Sequence, residues 1–182
     1  MKTRSSTSAT LTALFAALYA AGVVFLAPIS FQLFQVRIAD AMLPLSILFG
    51  WPAVVGLSIG AFVANFFGGL GPVDILGGAI ANFLATFLAW RITRSRGKFR
   101  RLAGVMLEIL VITLIVGSYL SYLFGMPLSV GLLGVLLGSV VAIGVLGSIV
   151  LSALSSSRML SWLRSYHLDL SIGETAEDSK RG

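Results

Sequence analysis

The sequence predicts an all-α fold, a polytopic membrane bundle of six transmembrane helices with both termini on the cytoplasmic side (N-in and C-in). Three observations predict it. The 182 residues are 57% hydrophobic and only 11% charged, with a mean hydropathy of +0.98, whereas a soluble domain carries about 25% charged residues. Several apolar stretches approach or reach the about 20 residues that a bilayer-spanning helix needs. The net charge of +6 comes from basic residues clustered at the ends of those stretches. That is the pattern of membrane topology, not of nucleic-acid binding.

The first span runs near Ala9–Ala27, follows Lys2 and Arg4, and stops at Pro28. Its core is longer than that of a cleaved signal peptide, so it is expected to stay as a helix. A semi-polar stretch, Ser30–Asp40, follows with Gln32, Gln35, Arg37 and Asp40. Apolar sequence then continues from Ala41 to Phe67, interrupted by Gly50-Trp51-Pro52. Proline breaks the helical ladder, so this region reads as two short helices, near Val36–Gly50 and Ala53–Phe67. At 1.5 Å per residue each reaches only about 22 Å, and must tilt, be sheltered or sit in thinned bilayer. Further spans cover Val73–Trp90, Leu102–Phe124 and about Leu128–Leu154. With six spans, twelve of the thirteen basic residues share one side and Arg37 alone faces outward, as the positive-inside rule asks. The expected organisation is a cytoplasmic N-terminus (1–8), a membrane domain (9–156) and a cytoplasmic tail (157–182). That tail opens with an amphipathic helix carrying Met159, Leu160, Trp162, Leu163 and Tyr166, and its last ten residues read as disordered.

Function classes fall away by composition. There is no cysteine, and the single His167 lies in a polar tail, which argues against thiolate or His-based metal sites and a Ser-His-Asp triad. No Walker motif, phosphate loop or nucleophile–base set is present, so no catalytic residue, metal or cofactor is predicted. Uphill transport would need a partner or an ion gradient.

Polar groups inside apolar spans are costly and usually functional. Arg37 and Asp40 are three residues apart and would share a helix face, as an ion pair at the outer rim or as ligand contacts. Asp74 follows Gly71-Pro72 in the first turn of a helix, where it is a cap or a ligand contact at the outer mouth. Asn65 and Asn82 can bond a neighbouring helix or a ligand edge. Tyr119 and Tyr122 belong to the aromatic belt or stack on a planar ligand. Glu108 is expected to snorkel toward Arg100 or Arg101. Small residues recur every fourth position: Ala9, Ala13, Ala17 and Ala21; Gly56, Gly60 and Ala64; Gly77, Ala81, Ala85 and Ala89; Gly134, Gly138 and Ala142. Such stripes permit close helix packing, within this chain or against a partner.

Two blocks carry a resemblance. One is Ala16-Ala17-Leu18-Tyr19-Ala20 with Leu26–Gln32, leading into Phe34-Gln35-Val36-Arg37-Ile38-Ala39-Asp40 and on to Leu45. The other runs from Gly56 to Phe66, then from Gly69 through Gly71-Pro72-Val73-Asp74 to Asn82. Together they resemble the QueT family, substrate-binding S components of energy-coupling-factor (ECF) importers associated with queuosine precursors. A weaker match covers Gly117–Leu128. The resemblance implies six helices with a ligand site near the outer face. It also implies an alanine-rich first-helix face, Ala9, Ala13, Ala17 and Ala21, docking on a transmembrane coupling subunit that binds two cytoplasmic ATPases. The implied partners are thus a small-molecule nutrient, these subunits and membrane lipid, in the plasma membrane. The chain departs from the family in the last helix, with Gly138-Ser139-Val140 where relatives carry a Gly-Glu or Gly-Gln pair.

On this resemblance the ligand is a 7-deazaguanine, such as 7-aminomethyl-7-deazaguanine, read by Asp74 at its paired N–H donors. Asn65 and Asn82 complete the edge, Tyr119 or Tyr122 stacks, and Arg37 orders the loop through Asp40 or meets the ring carbonyl. The competing readings are an S component for another vitamin-like nutrient, a non-transporting membrane scaffold and, least supported, a membrane enzyme.

Overall fold

The computed structural model describes residues 2–26, 37–93, 98–165 and 170. Among them every regular element is helical. Helix α1 is Lys2–Phe25, α2 Leu45–Phe49, α3 Trp51–Gly68 and α4 Pro72–Thr93. Then follow α5 Lys98–Leu123, α6 Leu128–Ser139, α7 Ser148–Leu154 and α8 Ser157–Ser165. A 3-10 turn, Ile38–Met42, precedes α2, and a π-helical segment, Val140–Gly147, joins α6 to α7. Most of the semi-polar stretch before Arg37, the loop with Arg94 and Arg96, and the tail expected to be disordered lie outside the described residues.

Among the described residues five helical stretches are long and apolar enough to cross a membrane: Ser6–Phe25, Trp51–Gly68, Pro72–Thr93, Phe99–Leu123 and Leu128–Leu154. The shorter apolar segment Ile38–Phe49 stands between the first two. The sequence suggested two equal short helices here. Instead the break at Gly50 divides unequal partners. Gly50 takes φ 63°, ψ −133°, a conformation in which a side chain is strained, and Pro52 opens the first turn of α3, where its missing N–H costs nothing. Upstream, Pro44 falls between the 3-10 turn and α2, so no continuous helix forms there. Arg37, Ala39–Ala41 and Leu43–Gly50 are buried. The segment is sheltered by protein, which is how backbone this irregular is tolerated at membrane depth.

Neighbours in sequence are neighbours in space: α1 packs on α3, α3 on α4, α4 on α5 and α5 on α6. Small residues set the closest approaches. A methyl added at Gly56 would stand 2.5 Å from the Thr12 carbonyl oxygen, and one at Gly60 would stand 2.8 Å from that of Ala16. Ala64, Ala81, Ala85, Ala89, Gly134, Gly138 and Ala142 are likewise buried between helices. Large apolar side chains such as Leu14, Leu18, Leu76, Leu110, Leu137 and Ile149 are instead more than half exposed. The bundle is apolar outside and holds Asp40, Asn65, Asp74, Asn82, Thr86 and Glu108 inside. This is the inversion expected of a protein whose solvent is lipid.

Helix α8 forms where the amphipathic pattern predicted it. Leu163 is buried and Met159 and Leu160 pack on the core, while Trp162 and Arg158 are exposed. Helix α1 begins at Lys2, so residues 2–8, expected as a separate N-terminal segment, extend the first helix.

Gly60→Leu is expected to force α1 and α3 apart and to cost about 1–3 kcal/mol, the range for overpacking a tight contact. Thermal unfolding of the detergent-solubilised protein measures the loss; an unchanged midpoint would refute the close approach.

Candidate functional site

The 3-10 turn brings two charges into the interior. Arg37 stands just before the turn, and the Asp40 N–H donates to its carbonyl at 2.9 Å. Both side chains are buried. Asp40 faces α1: the Tyr19 hydroxyl donates to its carboxylate at 2.5 Å. The charge of Arg37 acts on Asp40, on Asp74 and on the hydroxyls of Tyr19 and Tyr119. One guanidinium therefore serves two carboxylate–tyrosine pairs. In a low-dielectric interior this is what lets an acid stay buried.

The second pair is built by α4 and α5. Asp74 lies in the first turn of α4, and its N–H donates to the Gly71 carbonyl at 3.1 Å. Its side chain does not cap the helix. It turns inward, where Oδ1 accepts from the Tyr119 hydroxyl at 2.9 Å. The Tyr119 ring lies over Gly77, where a methyl would meet it at 3.0 Å. The Asn65 amide of α3 donates to the Asp74 backbone carbonyl at 2.8 Å and fills the space that a side chain on Gly78 would need. Asn82 donates at 3.4 Å to the Leu57 carbonyl. Both amides thus bond neighbouring helices, one of the two roles their sequence positions allowed. Asp74 Oδ2 and Asn65 Oδ1 are buried and accept no hydrogen bond among the described residues.

Between these pairs lies a small cavity bounded by Arg37, Asp40, Asn82 and Ser139, with apolar walls from Ile112 and Val116. Its volume is about 10 Å³, room for about one water. The wall holding Gly138 and Ser139 runs straight into the π-helical segment. The buried Ala142, Ile143 and Gly147 of that segment pack it on the 3-10 turn, with Gly147 against Pro44. π-helical turns are rare and collect at functional sites.

Arg37, Asp40, Asn65, Asp74, Asn82 and Tyr119 are therefore brought together. Tyr122 is not: at 80% exposure it faces outward, three residues beyond the partly buried Tyr119. Two features escaped sequence reasoning. Tyr19 sits in an alanine-rich helix where a phenol needs a partner, a signal that was available. Glu108 was expected near Arg100 or Arg101, and that is corrected: it is fully buried and accepts from the Ser46 hydroxyl at 3.2 Å. Position along α5 was right, but Glu108 shares the inward face with Ile112, one turn on.

A double-mutant cycle on Asp74→Asn and Tyr119→Phe is expected to show a coupling of about 0.5–3 kcal/mol in detergent unfolding, as for residues in direct contact. Additive effects would mean that the two do not act together.

Five apolar spans among the described residues, with Arg37, Asp40, Asp74 and Glu108 buried inside them, have the build of a membrane protein with a polar interior. The comparisons agree. No curated protein and no solved structure shows significant similarity to the chain. The family model described as QueT transporter matches residues 9–156. The chain belongs to the QueT transporter family.

Proposed function

We propose that this chain is the membrane-embedded substrate-binding (S) component of an ECF-type importer in the plasma membrane, and that it captures a 7-deazaguanine queuosine precursor. In this reading the Ile38–Phe49 segment counts as the second of six passes, and both termini face the cytoplasm. The observation that carries the ligand assignment is the pair of unoccupied acceptors, Asp74 Oδ2 and Asn65 Oδ1, on residues already bonded to each other. Two neighbouring acceptors suit the two adjacent N–H donors of a guanine edge. With Oδ1 taken by Tyr119, the carboxylate offers one oxygen and the Asn65 amide supplies the other. Arg37 is placed to meet a ring carbonyl. Ile112 and Val116 supply apolar walls for a flat ring.

The cavity must widen for this. Ligand pockets hold about 300–1,000 Å³, so the base enters only when the wall of α5 and α6 draws back from the Arg37 turn. The π-helical register at Val140–Gly147 is the natural place for that movement.

Coupling to partners is assigned to α1. The other small-residue stripes are largely consumed by packing within the chain, but Ala9, Ala13, Ala17 and Ala21 are all exposed. Ala9, Ala13 and Ala17 border a shallow groove of about 770 Å³ whose far wall is Ile59 and Val63 of α3. Helix α1 turns Phe15, Tyr19 and Val23 to its own bundle, which leaves the alanine face for the coupling subunit that binds the two ATPases.

A second reading, an S component for a different nutrient, is favoured by one residue. Ser139 lines the cavity at the place where relatives carry Glu or Gln, so a ligand group read there would be read by a short hydroxyl.

Native mass spectrometry of the purified protein with a panel of nutrients tests the ligand. Retention of a 7-deazaguanine is expected, weakened at least about tenfold by Asp74→Asn, since a charge-assisted bond is lost. Equal retention by the variant would remove Asp74 from the site, and retention of another nutrient would select the second reading. Ala13→Leu with Ala17→Leu is expected to abolish co-purification of a coupling subunit and ATPases while ligand retention is unchanged. Loss of both, or of neither, would detach the alanine face from docking.

A further inference from the structure

At the end of the bundle where α4 stops and α5 starts, the described surface carries positive charge alone. Arg91, Arg100, Arg101 and Arg158 gather there, and the acids among the described residues, Asp40, Asp74 and Glu108, are all buried in the interior. The inward turn of Glu108 leaves Arg101 with no carboxylate beside it among the described residues. Arg101 instead stands half-buried at the mouth of a cavity of about 310 Å³ between α5 and α7.

The opposite wall is unusual for this chain. Ser148 and Ser152 lie four residues apart on one face of α7, Ser155 directly follows its last residue, and all three line the cavity. Several helical hydroxyls of this chain bond back to a carbonyl one turn earlier, as at Ser58, Thr86, Ser118 and Ser121. Among the described residues the three serines make no such bond, and Ser155 Oγ is buried without any partner. A hydroxyl that forgoes the backbone acceptor keeps its proton for another. One guanidinium and three hydroxyls converging on one space form a donor set for a tetrahedral oxyanion.

We propose that this cavity binds the phosphate of one anionic phospholipid. The source is a lipid rather than a free phosphate because the cavity opens on an apolar track. Leu102, on its rim, is more than half exposed, and Met106 and Leu110 carry the same exposed face along α5 into the hydrocarbon region. Depth agrees as well. Helix α8 starts two residues beyond α7, buries Leu163 and exposes Trp162. Such an amphipathic helix lies at headgroup level. The exposed Arg91, Arg100 and Arg158 raise the local concentration of anionic lipid, and the cavity selects one molecule from it.

Native mass spectrometry of the full chain, released from detergent containing equal phosphatidylglycerol and phosphatidylcholine, tests this. Phosphatidylglycerol should be retained about fivefold more, the preference expected of one well-placed arginine at the surface. Arg101→Gln should remove the preference, and Arg100→Gln, which is exposed outside the cavity, should leave it. Ser152→Ala, an exposed site that folding does not depend on, should weaken retention with the thermal midpoint unchanged. Equal retention of the two lipids overturns the proposal, as do equal losses in Arg100→Gln and Arg101→Gln, which would reveal diffuse attraction. Glycerol 3-phosphate retained as well as phosphatidylglycerol also overturns it, in favour of a soluble phosphate ligand.

Discussion

The bond from the Tyr19 hydroxyl to the Asp40 carboxylate, 2.5 Å long, fastens the one segment that cannot hold itself. The stretch from Arg37 to Gly50 consists of a 3-10 turn and a five-residue helix, far too short for intrinsic helical stability. It lies buried in a bundle that offers no water to its backbone. Side chains of the long helices keep it there: Tyr19 at one end and Glu108, through Ser46, at the other. Its placement in turn sets where Arg37 sits, a buried cation whose charge reaches Asp40 and Asp74.

Glycine and alanine make room for this polar core. Lipid supplies no hydrophobic drive between helices, so packing must come from close approach. Gly56 and Gly60 let α1 lie directly on α3, which brings Tyr19 within reach of Asp40. Gly77 and Gly78 do the same for the Tyr119 ring and the Asn65 amide. Each small residue is thus matched to a polar group that needs the vacated volume. The stripe on α1 that has no such match is the one that remains exposed.

The same economy explains the basic end. Every described acid is used inside, so the outer charges are left to meet lipid headgroups or partner surfaces. The polar cluster is internal, the alanine face lies exposed along α1, and the cavity with Arg101 lies between α5 and α7.

Much of this was legible in the chain itself. Hydropathy and the spacing of basic residues are one-dimensional properties, so the membrane class, the all-α fold and the long spans followed directly. So did the family, because its marks are contiguous blocks such as Gly71-Pro72-Val73-Asp74. Intramembrane polar residues are few, and each was a candidate on cost alone. Which of them meet was not legible. Tyr19 and Asp40 are 21 residues apart, and Asp74 and Tyr119 are 45 apart; only packing brings them together. Only the tertiary structure decided that Tyr119 reaches Asp74 while Tyr122 stays exposed, and that Glu108 turns inward to Ser46 instead of outward to Arg101. The sequence alone determined what must be shielded from lipid. The tertiary structure decided by what, because a buried charge is stabilised by whichever partner the folded bundle carries to within hydrogen-bond distance.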